Sequence, residues 1–437
     1  MSVEISPRRL SLALMLGGAA VALAQPALAN GFAVPVISVE GAGRANAGEA
    51  ARMGVGALWS NPAAIARESG GVSLGAHYQS LSTEFTDQGS TVVRPIPPSG
   101  LTTPVGGRSR VSDAAGDYVG FFGAAATRIN DRFAVGLSVT RPFHIETDFG
   151  SDAWTRYDTI SNKIDAIDVQ VTGAVQVNPW LDVGVGVSAQ RVDAFLDSAY
   201  PNLDPSAPDG HSHLNAKDWA YGWTVGAQSH VNEVTFGVSY RSAIEHEMDG
   251  DLRVSGLLGP LESANFQAPS VTSFTLPWNL TAAARWQATP QLTLSTQLVR
   301  TGWSKYDAIH VAFAGQVAEI EQNFRDTTSI SFGADYTLDD VWTVRAGVGF
   351  EPTPTRNTLR ESGVFDADRR VVAVGASGVL TSVLTVHGAL TYTDFASAPI
   401  VDLNGFYQGT PASTVSPAFG EFDGHGLAAS VGMDWRF

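Results

Sequence analysis

From Gly426 to the end of the chain every second side chain is apolar: Leu427, Ala429, Val431, Met433, Trp435 and Phe437 alternate with Gly426, Ala428, Ser430, Gly432, Asp434 and Arg436. A period of two belongs to an extended strand whose two faces meet different surroundings. The pattern recurs where Ile167, Val169, Val171, Val175 and Val177 face away from Asp168, Gln170, Thr172 and Gln176. It recurs where Leu181, Val183, Val185 and Val187 oppose Asp182, Gly184, Gly186, Ser188 and Gln190, and again over 342–350, with Trp342, Val344, Ala346, Val348 and Phe350 on one face. The chain is therefore all-β. Alternation alone does not separate a soluble sandwich, whose apolar face is the core, from a barrel whose apolar face meets lipid.

Connection lengths separate them. Short turns fall at Asn130-Asp131, Asn178-Pro179, Val231-Asn232, Thr289-Pro290, Asp339-Asp340 and Thr381-Ser382. Between them lie longer polar or mixed stretches near 86–115, 147–161, 196–215, 255–269, 353–366 and 397–420; only the connection near 314–318 is short on that side. Short turns at one rim and long loops at the other mark a transmembrane antiparallel barrel. Both ends on the turn side then give fourteen strands: 71–85, 116–129, 132–146, 162–177, 181–195, 216–230, 233–254, 270–287, 290–313, 318–337, 341–352, 367–379, 383–396 and 424–437.

The start of the chain supplies the address. Arg8 and Arg9 precede an apolar run from Leu10 to Ala24, and Ala27-Leu28-Ala29 forms an A-x-A cleavage site, so residues 1–29 read as a signal peptide. Arg8-Arg9 also admits a twin-arginine signal, against which Pro7 and the missing consensus stand. Beyond residue 29 no apolar run approaches the ~18 residues of a spanning helix. The sequence has no cysteine and a net charge of -16, which excludes thiolate chemistry and Cys-ligated metals and opposes nucleic-acid binding. Charged residues are only 16% of the chain, low for a water-soluble domain.

Residues 30–70 break the strand pattern, and as a segment too short for a core of its own they form either a periplasmic tail or a plug inside the barrel. Phe32, Val34, Val36, Ile37, Val39 and Trp59 favour the plug. The barrel itself is 71–437.

Several of these segments resemble the FadL-type outer-membrane family of long-chain fatty-acid channels, which includes importers of aromatic hydrocarbons. Gly31-Phe32, Gly41-Ala42-Gly43-Arg44-Ala45, Gly48-Glu49-Ala50 and Asn61-Pro62-Ala63 are similar to its N-terminal hatch. Asp218-Trp219-Ala220-Tyr221-Gly222-Trp223, Tyr240-Arg241-Ser242, Gly302-Trp303-Ser304-Lys305-Tyr306-Asp307 and Asp340-Val341-Trp342-Thr343-Val344-Arg345-Ala346-Gly347 follow in the family's order. The resemblance implies a fourteen-stranded barrel closed by a hatch, with no cofactor and no covalent chemistry. It implies capture of a fatty acid or similar compound by outer loops, transfer to an internal pocket, hatch rearrangement and exit through the wall at the third strand. Phe437, with Trp435, suits an interfacial aromatic girdle and resembles the terminal signature read by the barrel-assembly machinery. The expected surroundings are outer-membrane lipid and lipopolysaccharide, and the expected state is a monomer.

Individual residues carry two readings each. Arg141-Pro142 in the third strand either ends the spanning part or kinks it to open a window facing the hatch, because proline removes a ladder donor. Asn61-Pro62-Ala63 is either a turn closing the plug or, by family analogy, the gate element near that window, with Phe32. Leu257, Leu258, Leu261 and Phe266, with Phe195, Leu196, Tyr200 and Leu203, either pack loop on loop or form an exposed groove that captures lipid. A buried fatty-acid carboxylate calls for arginine; Arg325, by its context in Asn323-Phe324-Arg325-Asp326, and Arg191 are the candidates, against the bland reading of lumen arginines paired with Asp or Glu. His211-Ser212-His213 lacks a third ligand and is not read as a metal site, and no Ser-His-Asp constellation presents itself.

Overall fold

A computed structural model describes residues 31–34, 37–96 and 100–437. The expected signal peptide and Val36 lie outside the described residues.

The barrel is built from β1 (Gly70–Asp87), β2 (Tyr118–Arg128), β3 (Phe133–Asp148), β4 (Ser161–Asn178), β5 (Leu181–Tyr200), β6 (Gly210–Val231), β7 (Val234–Arg241 and Ile244–Ser255), β8 (Phe266–Leu276 and Asn279–Gln287), β9 (Leu292–Thr301 and Ala308–Phe313), β10 (Gln316–Glu321 and Thr327–Thr337), β11 (Trp342–Glu351), β12 (Arg369–Val379), β13 (Leu384–Phe406) and β14 (Thr414–Arg436). Each pairs antiparallel with its neighbours in sequence, and β14 pairs with β1 from Gly71↔Arg436 to Asp87↔Gly420, which closes the cylinder and removes the sheet edge. Closure is what hydrocarbon demands, since an unpaired backbone group has no water to bond there. The outward faces are apolar and exposed: Val185 is 57% and Val431 66% accessible, while Asp182, Ser188 and Gln190 face the lumen and are buried. A soluble sandwich would show the reverse.

Two expectations need correction. Residues 397–420 are not a loop: β13 and β14 continue as a hairpin from Ala398↔Phe422 to Phe406↔Thr414. Its inner residues Ile400 and Phe406 are buried and Leu403 faces out, so the alternation persists beyond the lipid. In addition, β7, β8, β9 and β10 are interrupted rather than continuous, at 242–243, 277–278, 302–307 and 322–326. Pro277, which lacks an N–H, sits in one of these breaks.

The segment before β1 lies inside the barrel as a hatch, in agreement with the plug reading. It holds one short helix, α1 (Val39–Ala42), capped by Ser38 Oγ accepting from the Gly41 N–H at 2.8 Å, and 3-10 turns at Glu49–Ala51, Val55–Ala57 and Pro62–Ile65. Ala47, Ala50, Ala57, Leu58 and Ile65 are fully buried against the wall. Glycines on the inner face make room for it: a Cβ on Gly347 would lie 2.2 Å from the Arg44 carbonyl oxygen, and one on Gly226 2.1 Å from Asn61 Oδ1.

Candidate functional site

The ladder between β2 and β3 runs from Arg128↔Ala134 to Phe122↔Thr140 and stops. On its far edge β2 continues to pair with β1 through Gln79↔Tyr118, so Tyr118–Phe121 keep one partner and lose the other. On the β4 side Thr140 faces Asp168 and Phe143 faces Ala166, which leaves Arg141 and Pro142 opposite one residue as a bulge. Ala115 bridges Thr147 above. The wall thus has a window bounded below by Phe122 and Thr140 and above by Ala115 and Thr147. At Arg141-Pro142 the backbone is bulged, and β3 runs on past it to Asp148.

Such a gap leaves backbone polar groups without partners, which is costly unless something else satisfies them. Arg141 does so from one side: its Nη1 donates to the Val119 carbonyl at 3.0 Å and its Nη2 pairs with Asp165 at 2.5 Å. The His144 ring stacks on Tyr118 at 4.1 Å and its Nδ1 lies 3.1 Å from Asp165. From the lumen side the hatch takes the place of β2. Ala33 bridges Phe143, the Val34 N–H donates to the Pro142 carbonyl at 2.9 Å, and the His144 N–H donates to the Phe32 carbonyl at 3.1 Å.

Phe32 anchors this segment. Its ring lies 5.1 Å from Trp303, 5.4 Å from Tyr306 and 5.9 Å from Phe143, all edge-on, in the largest buried apolar cluster of the lumen. The Gly31 carbonyl accepts from Arg369 Nη2. Gly31 has φ +58, and a Cβ there would meet the Trp303 ring at 2.6 Å, so only glycine fits.

A second attachment holds the rest of the hatch. Arg44, 1% exposed, pairs with Glu49 at 2.5 Å and with Asp335 of β10 at 2.9 Å. Arg345 and Arg285 reach the same Asp335 at 2.9 and 3.0 Å. Arg52 holds Glu49 at 3.1 Å and also Glu40. At the far end Arg67 pairs with Asp182 of β5 at 2.6 Å.

Two cavities flank Phe32–Val34. The smaller is lined by Phe32, Tyr118, His144, Phe365, Arg369 and Phe395; the larger by Trp59, Pro142, Phe143, Arg241, Leu276 and Ile330. Ala33 and Val34 line both. Arg369 is spoken for by Asp366 at 3.2 Å and Glu351 at 3.7 Å. Arg241 donates to the Trp59 carbonyl and to Gln170 Oε1, both at 2.8 Å, stacks on the Trp59 ring at 3.9 Å, and its buried Nη1 stands 3.8 Å from Asp168 without a hydrogen bond.

The residues expected from sequence distribute unevenly. Phe32, Arg141 and Pro142 meet at the window. Asn61, Pro62 and Ala63 do not: Asn61 Nδ2 donates to the carbonyls of Ala50, Ala227 and Val238, and a Cβ on Gly184 of β5 would touch Pro62, which places the turn on β5–β7. The place beside the β3 bulge, expected for it by analogy, is taken by Phe32–Val34. Arg325 and Arg191 line neither cavity. Arg325 donates to the Thr353 carbonyl at 3.3 Å. Arg191 has the outward parity of Val185 and Val187 and is paired with Asp193 at 2.9 Å. In the outer loops Leu257 and Leu261 are buried with Val254, against Tyr200, Leu203 and Phe266, while Leu196 packs on a neighbouring cluster. Loop-on-loop packing accounts for these; Leu258, 49% exposed, and Phe195 stand outside both clusters. Arg241 and Arg369 were the residues missed, although Arg241 lies in a motif already noted and has inward parity on β7.

The chain resembles known proteins over most of its length. It is 24% identical over 282 residues to the long-chain fatty acid transport protein of Escherichia coli O6:H1, an alignment spanning 56% of this chain and 63% of that protein. The crystal structure of a Pseudomonas aeruginosa FadL homologue superposes with a TM-score of 0.81 at 22% identity, over 93% of this chain and all of that one. The Ralstonia pickettii toluene transporter TbuX gives 0.63 at 17% identity, over 92% and 99% of the two chains. The profile of one family of transport proteins, not enzymes, matches residues 20–437, and the chain belongs to it: the outer membrane protein transport family OMPP1/FadL/TodX, multi-pass β-barrels of the outer membrane.

Proposed function

We propose that the protein admits hydrophobic small molecules passively across the outer membrane, gated by the hatch, and releases them sideways through the window between β2 and β3. The observation that carries this reading is that Phe32–Val34 both complete the β3 ladder and separate the two cavities. One segment leaving its place would join the cavities and unblock the window together. Trp435 and Phe437, more than half exposed at the turn rim, suit lipid contact and delivery to the barrel-assembly machinery.

Deleting Pro142 removes the extra residue of the bulge and restores one-to-one pairing with β4. Cells carrying that variant should take up labelled oleate several-fold more slowly while the barrel keeps its folded mobility on unheated gels. Unchanged uptake would overturn lateral release at this strand, and a large steady conductance of the intact protein in planar bilayers would overturn the hatch.

For a charged cargo the carboxylate partner is Arg241, which lines the larger cavity and holds Asp168 only at 3.8 Å. Fatty acids and aromatic hydrocarbons are both transported by relatives, and Arg241 distinguishes them. Arg241→Met should weaken oleate binding at least about tenfold, the loss of a charge-assisted hydrogen bond, and leave toluene binding within a factor of about two. Equal losses would mean that the cavity itself, not the charge, was damaged.

A further inference from the structure

The hatch and the wall meet at a third place that the ion pairs do not explain. Glu40 of α1, His387 of β13 and Asp434 of β14 offer three ligand atoms that all lie within 4.8 Å of one another. Three separate segments of chain supply them. The His387 side chain is 6% exposed, and its Nε2 makes no hydrogen bond although Asp434 Oδ2 is 3.4 Å away. A buried nitrogen without a partner, aimed at two carboxylates, is an arrangement that calls for a ligand.

We infer that Glu40, His387 and Asp434 form a site for a divalent transition-metal ion that fastens the hatch to the barrel wall. The ring is already oriented for the task. His387 Nδ1 lies 2.6 Å from Ser377 Oγ, which in turn accepts from Arg345 Nη1 at 2.7 Å. Holding one ring nitrogen in this way fixes the imidazole and frees the other to ligate. One imidazole and two carboxylates suit a borderline ion such as Zn²⁺ rather than Ca²⁺ or Mg²⁺, which take oxygen ligands.

The neighbouring arginines do not preclude the ion. Arg52 and Arg345 both approach Glu40, the latter at 3.6 Å, but each also holds a second carboxylate: Arg52 keeps Glu49 at 3.1 Å, and Arg345 keeps Asp335 at 2.9 Å. Asp434 has no arginine within ion-pair distance among the described residues. Glu40 and Asp434 are 20% and 22% exposed, so the site opens toward the turn rim, from which an ion would enter.

The test uses the mature protein in detergent, in a His211→Ala/His213→Ala background so that the surface histidines do not compete. Titration calorimetry with Zn²⁺ should show one saturable equivalent. His387→Ala should abolish it, and Ser377→Ala, which frees the ring without removing a ligand, should weaken it at least about tenfold. Co²⁺ should give visible d–d bands in the parent that are lost in Glu40→Gln and in Asp434→Asn, variants that preserve shape if His387→Ala fails to fold. No saturable binding, binding undiminished in His387→Ala, or Co²⁺ bands that persist in Glu40→Gln would each overturn the site. None of these readouts depends on transport, so their failure is distinct from failure of the uptake reading.

Discussion

The two attachments of the hatch are built from different physics. Residues 40–52 are tied to the wall by arginines and carboxylates that satisfy one another in a buried network centred on Arg44 and Asp335. Residues 31–34 carry no ion pair of their own and are tied by one aromatic ring, one bridge to Phe143, two backbone hydrogen bonds to β3 and one from Arg369 to the Gly31 carbonyl. Charges buried in pairs are expensive to separate, because each left alone has lost its water. An apolar ring and a short ladder separate at a cost that another apolar molecule can offset, since it refills the same space. The comparison teaches that one half of the hatch costs far more to detach from the wall than the other, which is the asymmetry that the proposed gating requires.

The largest effect should come from the half that stays. Arg44→Ala leaves Glu49 and Asp335 without their shared cation and should cost about 3–5 kcal/mol. The measurement is denaturant unfolding in detergent, read beside bilayer conductance, which should rise as the hatch loses its hold. Stability within about 1 kcal/mol of the parent would break the comparison, because the network would then be ornamental.

Phe32→Ala probes the other half. It empties a position enclosed by Trp303, Tyr306 and Phe143, and a Phe-to-Ala change in a packed site costs about 3 kcal/mol. Here the cost should be local. With no cysteine in the chain, single reporters are clean: Ala33→Cys should become reactive to a small maleimide in the Phe32→Ala background, while Ala51→Cys in the charged half should stay protected. If both reporters open together, the hatch moves as one piece and the distinction between its halves fails.

The barrel was legible in the sequence because lipid imposes the period of two directly on the side chains, and the fourteen strands follow from turns that short loops cannot disguise. Above the lipid that imprint weakens. The outer hairpin of β13 and β14 alternates as faithfully as the rest, with Ile400 inside and Leu403 outside, but its setting among polar residues reads as loop. The outward direction of Arg191 is legible too, against its expected place in a binding pocket, because it shares parity with Val185 and Val187. Arg241 lies within Tyr240-Arg241-Ser242, yet nothing local marks one inward arginine as lining a cavity. Its setting depends on Trp59 and Gln170, which are distant in sequence and hold its Nη2. The seat of Phe32 is the least legible of all, because a bulge in β3 and an aromatic cluster from β9 must meet before it exists.

The outer loops sharpen the comparison from the opposite direction, since they bury carboxylates without a matching cation. Asp158 accepts from the Ser362 backbone N–H at 2.6 Å, and Glu361 accepts from Gln322. Burial, with repulsion from Asp402, pushes the Asp158 carboxyl up to about 7; burial and the same two neighbours push Glu361 well above the usual range, and burial raises Asp402. A carboxyl whose value is higher folded than unfolded binds its proton more tightly in the folded state. Its contribution is therefore complete below the unfolded value near 4 and is lost as the pH rises through the folded one. The loops at 149–160 and 352–368 should accordingly exchange backbone hydrogens faster at pH 8 than at pH 5, after correction for intrinsic rates, with the hatch unaffected. Asp158→Asn should flatten most of that dependence. A hatch that loosens over the same range would show that its network is not self-neutralised, and the contrast between paired and unpaired buried charge in this molecule would collapse.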